Sequence, residues 1–335
     1  MYEKQINHKN RASCQRWRFV TSLPIILVAL FLQCCFTGSD SGDSSDADTD
    51  SDSDTDSDTD SDTDGDTDGD TDGGIDAGPR LLFSSGFENG VYLGGPAEDY
   101  ADYNIIRGTD AETGFSWPID ILGAGLSGLH FIDDDDQQAV ASELQTVTGH
   151  DGNQTTALYN IENYNTGVTQ CPYEILDITE GTKDLYIRYW IKIDAESIIM
   201  PDTWRALFEW KTKDYADGSG FRLIAFVYVD SNGNPYWHWQ GDANPESPVW
   251  EIDNTDVPVH GDEWFLTEFY WHWSEDNDGR ALWKINGQII GDHLGPTTLN
   301  SKPIDFIMLT QIYGDANPKH QWIDDIEIWD DLPEK

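Results

Sequence analysis

The body of this chain is short of cysteine, of positive charge and of any helical period. Of the four cysteines in 335 residues, Cys14, Cys34 and Cys35 crowd the N-terminus and only Cys171 lies beyond it. That excludes an internal disulfide for the body and a thiol cluster for zinc or redox work. A lone cysteine reads as a small buried hydrophobe. Nineteen Lys and Arg stand against 63 Asp and Glu, for a net charge of −44. The charge divides into +4 over residues 1–37, −17 over 38–76 and −31 over the rest. A basic face able to neutralise a phosphate lattice is excluded, so nucleic acid is not an expected partner.

What is present falls into three segments, 1–37, 38–79 and 80–335. Lys4, Lys9, Arg11, Arg16 and Arg18 precede an apolar stretch from Phe19 to Phe36, the pattern of a secretory signal. Thr21, Ser22, Pro24 and Gln33 interrupt that stretch, so a stable membrane-spanning helix is the weaker reading. It ends in Leu32-Gln33-Cys34-Cys35, which resembles a bacterial lipoprotein signal with Leu three residues before the lipidated cysteine. The resemblance implies lipidation at Cys35, with an uncleaved anchor or an ordinary secretory signal as alternatives. In each case the body is exported, and in the first it sits at the outer membrane or cell surface.

From Ser39 to Gly74 the chain repeats Ser-Asp, Thr-Asp and Gly-Asp. Such a segment has no apolar surface to offset its ordering entropy and is expected to be a disordered, charge-extended tether. Around Asp60 to Gly65 the spacing of acids imitates a calcium loop but lacks the bidentate Glu at the twelfth position. It reads as a solvated polyanion, as does the run Asp133–Asp136.

Residues 80–335 hold 13 of the 14 Trp and read as strands separated by turn chemistry. Leu185–Ile193 alternates. So does Trp204–Lys213, with Trp204, Ala206, Phe208 and Trp210 expected on one face and Arg205, Leu207, Glu209 and Lys211 on the other. Phe221–Val229 and Tyr236–Gln240 form a hairpin across Asp230–Pro235. A second hairpin joins Trp264–Trp273 to Arg280–Ile290, with Asn286-Gly287 as a further turn inside its second arm. Only Gln137–Leu144 offers one or two helical turns. The fold class is therefore all-β, two packed antiparallel sheets in a β-sandwich or jelly roll.

Trp264 to Ser274, then Asp278-Gly279-Arg280, then Trp283-Lys284-Ile285-Asn286-Gly287 resemble a hairpin of the concanavalin A-like lectin/glucanase superfamily. Heparin-lyase-like polysaccharide lyases carry a similar string. Leu82–Gly90 and Trp322–Trp329 resemble the first and last strands of secreted jelly-roll modules. The resemblance implies engagement of an extracellular polysaccharide, with cleavage open. It also implies a structural Ca2+ where Glu88 meets Asp324 or Asp325, since carboxylates brought together need a hard cation or a proton.

The body's aromatics include an expected core set, Phe269, Trp271, Trp273 and Trp283. A second set suits sugar rings, whose apolar C–H faces lie on aromatic planes: Trp190, Tyr228, Tyr236, His238, and Trp237 or Trp239. A lyase acting on a uronic acid needs a group to neutralise the carboxylate, a base for the C5 proton and an acid for the leaving oxygen. Arg188, Tyr228, His238 and Tyr313 are the candidates for catalysis. Trp190, Arg205, Glu209, Lys211, Arg222, Tyr236, Trp239 and Gln311 are the candidates for ligand binding. Glu209 and Lys211 stand where heparin-lyase-like sequences show Gln and His. Gln311-Ile312-Tyr313 begins like the alginate-lyase Gln-Ile-His and departs at its third residue. Glu251-Ile252-Asp253-Asn254-Thr255-Asp256 approaches the acidic motif of jelly-roll glucanases with Asp in place of its last Glu. It reads as a chance match in a Pro-flanked loop. The alternatives are thus a polysaccharide-binding module, a lyase working by β-elimination, and a non-catalytic adhesion domain.

Overall fold

Asn286 and Gly287 both take positive φ, 49° and 75°, the combination that a two-residue hairpin turn requires. The second arm of that hairpin is therefore two strands, Arg280–Ile285 and Gln288–Leu294. In a computed structural model the chain is described over residues 78–94, 103–122, 129–131, 140–162, 175–177, 182–212, 215, 220–243, 248–299, 304–310 and 312–333. The signal segment with Cys35, the acidic segment up to residue 77, Asp133–Asp136 and Gln311 lie outside these residues.

The described residues form strands and turns. In chain order the strands are β1 (Leu81–Ser85), β2 (Val91–Gly94), β3 (Tyr103–Thr109), β4 (Ser116–Trp117), β5 (Leu129–Phe131), β6 (Val140–Thr148), β7 (Gln154–Glu162), β8 (Ile175–Asp177) and β9 (Asp184–Ile193). They continue as β10 (Trp204–Lys211), β11 (Arg222–Val229), β12 (Pro235–Asp242), β13 (Pro248–Asn254), β14 (Trp264–His272), β15 (Arg280–Ile285), β16 (Gln288–Leu294), β17 (Phe306–Met308) and β18 (Lys319–Trp329). The stretch read as helical turns is in part strand: Val140–Leu144 opens β6 and pairs with β7.

All pairings are antiparallel. The first sheet runs β16-β15-β14-β9-β18-β7-β6, with β1 also on β18. The second runs β13-β12-β11-β10-β17-β8, and a small third sheet joins β2, β3, β4 and β5. β7 takes Lys319–Ile323 of β18, and β1 takes Ile326–Trp329. The two strands thus follow one another along the same edge of β18, at a bulge between Asp324 and Glu327.

Trp and Phe side chains fill the space between the two large sheets. Phe208 stacks on Phe269 at 4.2 Å, Trp210 meets Trp271 edge-on at 5.6 Å, and Trp237 meets Trp283 at 5.4 Å. Ala225 stands opposite Trp239, and Gly291 lies beneath its ring, where a Cβ would come within 2.8 Å. Large rings over small residues give the dense interior that single rotamers need. Phe269, Trp271 and Trp283 are fully buried as expected, with Trp273 packed at the margin.

One irregularity decides which side chains leave this core. The register of β10 against β11 shifts between Ala206 and Phe208, a bulge that inserts one residue and reverses the alternation. Trp204 and Ala206 face outward before it, and Glu209 and Lys211 after it. Phe208 and Trp210 face in, and Arg205 is carried into the interior at 1% exposure. A straight strand would have put Phe208 beside Trp204; the bulge separates them.

Candidate functional site

The outer face of the second sheet is built by strict alternation on β11 and β12 around their hairpin. Because Trp237 and Trp239 point inward, Tyr236, His238, Gln240 and Asp242 must point outward. Opposite them in register lie Tyr228, Phe226, Ile224 and Arg222. β10 adds Trp204, Ala206, Glu209 and Lys211, and β13 adds Asp253 and Glu251 opposite His238 and Gln240.

This face has two halves. Toward the hairpin it is aromatic: Tyr228 stacks with Tyr236 at 5.8 Å, and Trp204 stands edge-on to both Phe226 and Tyr313 at 5.5 and 5.4 Å. Away from the hairpin it is polar. Gln240 Nε2 donates to Asp242 Oδ2 at 2.7 Å, and Arg222 Nη2 donates to the same oxygen at 2.9 Å. Arg222 also lies 3.7 Å from Glu209, which accepts from Lys211 at 3.3 Å and from the Tyr313 hydroxyl at 3.2 Å. The Tyr215 hydroxyl donates to the other Asp242 oxygen.

His238 lies at the seam between the halves. Its Nδ1 meets Asp253 at 2.6 Å, its Nε2 meets Gln240 Oε1 at 2.9 Å, and Tyr228 stands edge-on 4.7 Å away. Gln240 turns its amide nitrogen to Asp242, so both ring nitrogens of His238 face oxygens.

Charge in the polar half is mutually compensated. Burial pushes the Glu209 carboxyl up, but Lys211 and Arg222 outweigh it and hold Glu209 below the usual carboxylate range. Burial works against the Arg222 cation, and Glu209 with Asp242 more than restores it. The Tyr215 hydroxyl is pushed up by burial first and by Asp242 beside it. Two cations, Lys211 and Arg222, face two carboxylates, Glu209 and Asp242, so the polar half is balanced inside a strongly acidic domain, with Asp253 and Glu251 along the β13 rim.

Of the residues singled out from sequence, Tyr228, Tyr236, His238, Glu209, Lys211, Arg222 and Tyr313 meet on this face. Four others do not. Arg188 and Trp190 lie on the first sheet, where the Arg188 guanidinium is gripped by Glu327 at 2.9 and 2.7 Å. Arg205 lies between the sheets, donating to Asp194 at 3.0 Å and to Gln321 at 3.2 Å. Trp239 is a core residue at 0% exposure, its indole N–H donating to Ala281 O. It differs in placement from Tyr236 because strand parity alone separates them. Residues not singled out for the site include Trp204, Gln240, Asp242, Tyr215 and Asp253. Gln240 and Asp242 sit at two-residue steps from His238, a signal that was there to read. Asp253 belonged to the glucanase-like segment, and its pairing with His238 depends on strand register.

The residues expected to hold calcium converge at the seam where β1 and β7 abut on β18. Glu88 Oε1 and Asp324 Oδ2 lie 2.7 and 2.9 Å from the Thr155 hydroxyl, and the Thr156 N–H donates to Glu88 at 2.9 Å. Asp325 is turned toward His150, at 2.8 Å. The donors are oxygens, as a hard cation prefers. Among the described residues, however, no group of three or more His, Cys, Asp or Glu is placed to hold a metal. Burial, and then the adjoining Asp325 and Glu88 carboxylates, push the Asp324 carboxyl up to about 7.

No family model and no curated protein sequence matches the chain. Among solved structures it is similar to the alginate lyase Aly36B, at TM-score 0.43 and 14% identity over 56% of this chain and 82% of that one. It is similar to an endo-β-1,4-glucuronan lyase from the fungus Trichoderma reesei, at TM-score 0.41 and 11% identity over 61% and 94%. A botulinum neurotoxin serotype D/C binding domain is similar at TM-score 0.40 and 13% identity over 76% and 49%.

Proposed function

We propose that the outer face of the second sheet binds an acidic, uronate-containing polysaccharide and is equipped to cleave it by β-elimination. The observation that carries this reading is the position of His238 between an aromatic half and a charge-compensated polar half. Sugar rings would rest on Tyr228, Tyr236 and Trp204, while the uronate carboxylate meets Lys211 and Arg222. In the elimination, a base removes the C5 proton, the electron pair forms the C4–C5 double bond, the C4–O bond breaks, and the leaving oxygen takes a proton. Tyr228 and His238 are close enough to serve one sugar ring as base and acid. Tyr313, across β10 and β11 from His238, flanks the site with Glu209 ionised beside it.

A polysaccharide panel tests this with two readings, retention on glycan-loaded gel and ultraviolet absorbance from new double bonds. Absorbance that rises for a uronate polymer and is lost in His238→Ala supports cleavage. Retention without absorbance supports the second reading, a binding module. That reading draws on the mutual engagement of Arg222, Glu209 and Asp242, which leaves the polar half tightly tied. Neither behaviour with any glycan would overturn both.

Display at the cell surface is proposed from the sequence around Cys35, with the acidic segment as spacer. Fatty-acid labelling that persists in Cys35→Ser would overturn lipidation there. A structural calcium ion held by Glu88 and Asp324 is likewise proposed, on their convergence at Thr155.

A further inference from the structure

Two residues singled out from the sequence, Arg188 and Trp190, face away from the proposed polysaccharide site, on the outer side of the first sheet. There, one register row crosses five strands: Trp264 on β14, Lys192 on β9, Trp322 on β18, Tyr159 on β7 and Glu143 on β6. Lys192 Nζ stands 5.4 Å from the Trp264 ring and 4.4 Å from the Trp322 ring, and Trp322 lies 5.1 Å from Tyr159. Both indoles are pinned, Trp264 donating to Thr148 O at 2.9 Å and Trp322 to Gln145 Oε1 at 3.0 Å. Trp264 to Tyr159 spans three strand spacings, about 14 Å, the reach of a short run of sugar rings.

Lys192 is the unusual member. Among the described residues it makes no ion pair, although the domain has acids to spare. Burial weakens its charged form, and Asp262 only partly offsets this. The Asp262 carboxylate is itself taken up by the Ala195 N–H. A half-buried ammonium between two indole faces, without a carboxylate of its own, is a receptor for an anion that arrives with apolar surface attached. One row further along the strands lies a cleft of about 460 Å³ lined by Ser84, Arg188, Trp190, Leu266, Asp325 and Glu327. His150 lies flat on Trp190 at 4.0 Å and 3°, and the carboxylates in the cleft suit hydroxyl donors. None of the large exposed hydrophobic side chains, Tyr92, Ile199, Val249, Ile289, Leu294 and Leu299, belongs to this row. An aliphatic protein surface therefore has little to hold there.

We propose that this outer face of the first sheet is a second, non-catalytic site for the same acidic glycan, centred on Lys192 between Trp264 and Trp322. A uronate carboxylate sits at Lys192, the C–H faces of neighbouring rings lie against the indoles, and hydroxyls reach into the cleft. The inference rests on the polysaccharide reading above. The whole sandwich separates the two faces, so one long chain can be held on this side while a segment of it occupies the other.

The test is retention on a uronate-polymer gel and on its carboxyl-reduced, neutral counterpart, with wild type, Lys192→Met, Lys192→Arg and Trp322→Ala compared at equal circular-dichroism melting. Wild type and Lys192→Arg are expected to be retained by the acidic gel. Lys192→Met and Trp322→Ala should bind about tenfold more weakly, and the neutral gel should retain none of the four through this face. A second reading is quenching of tryptophan fluorescence by an oligouronate in Tyr236→Ala, which should persist there and vanish when Lys192→Met is added. Retention of Lys192→Met equal to wild type, or quenching indifferent to it, would overturn the second site while leaving the first intact. Wild type that is neither retained by nor active on any glycan would remove both.

Discussion

His238 and Asp253 stand directly opposite each other on β12 and β13, and the imidazole Nδ1 meets the carboxylate at 2.6 Å. Asp253 is exposed along part of its side chain while His238 is nearly buried, so the acid orients the ring from the rim of the site. Asp253→Asn keeps the shape and removes the charge. Turnover on a uronate polymer is expected to fall about tenfold, against about a hundredfold or more for His238→Ala. Retention on the polymer should hold in Asp253→Asn. A turnover equal to wild type would remove Asp253 from the positioning role.

Tyr236 and Trp239 lie three residues apart on one strand and should behave oppositely. Trp239→Ala empties a packed interior and is expected to cost about 3–5 kcal/mol of stability. Tyr236→Ala, at the half-exposed edge of the aromatic half, should cost well under that and weaken glycan retention instead. Denaturant unfolding and gel retention on both variants check the contrast.

Asp324 makes stability depend on pH in an unusual direction. Its carboxyl sits at about 7 in the folded chain and near 3.9 when unfolded, so the folded state holds the extra proton between those values. Its contribution is complete below about pH 4 and is lost as pH rises through 7. Asp324→Asn should therefore be more stable than wild type at pH 8 by about 2–4 kcal/mol of unfolding free energy, measured by denaturant unfolding, with the gap closing near pH 4. Glu162, pushed up to about 7 by burial, adds a slope of the same sign, which the comparison of variant with wild type subtracts. A gap independent of pH would refute the assignment.

Calcium would act on the same seam. If the ion is held by Glu88 and Asp324, millimolar calcium should raise the melting temperature at pH 8 and chelator should lower it, both effects disappearing in Glu88→Ala. Identical melting with excess chelator and with calcium would dismiss the ion.

Arg205 is predicted to be structural. Arg205→Met leaves Asp194 without its guanidinium partner between the sheets, an expected loss of about 3–5 kcal/mol. Glycan retention per folded molecule should be unaffected, as measured by retention of the soluble fraction below its melting point.

Much of the architecture was legible along the chain because β-structure writes itself locally. The alternation of β9, the Asn286-Gly287 turn and the hairpin of β11 and β12 are each settled by residues within a few positions of one another. The inward set Phe269, Trp271 and Trp283 followed from the same two-residue step. Strand parity sets Trp239 on the opposite face from His238, but that this face is the inner one came from the packing of the two sheets, which moves Trp239 from the expected ligand-binding set to the core. What a local pattern does not carry is a break in itself: the bulge at Ala206–Phe208 sent Arg205 inward although the flanking residues alternate.

Residue types and strand parity, which depend on covalent order, by themselves determined that the body is all-β, acidic, rich in aromatic rings and without internal disulfides. The tertiary structure alone decided which strands share a sheet. That placed Arg188 and Trp190 opposite the face that carries His238, set Asp253 against its imidazole, and brought Glu88 to Asp324 across more than 200 positions of sequence. Pairing between distant strands is fixed by the packing of whole faces, and no short stretch of residues contains that information.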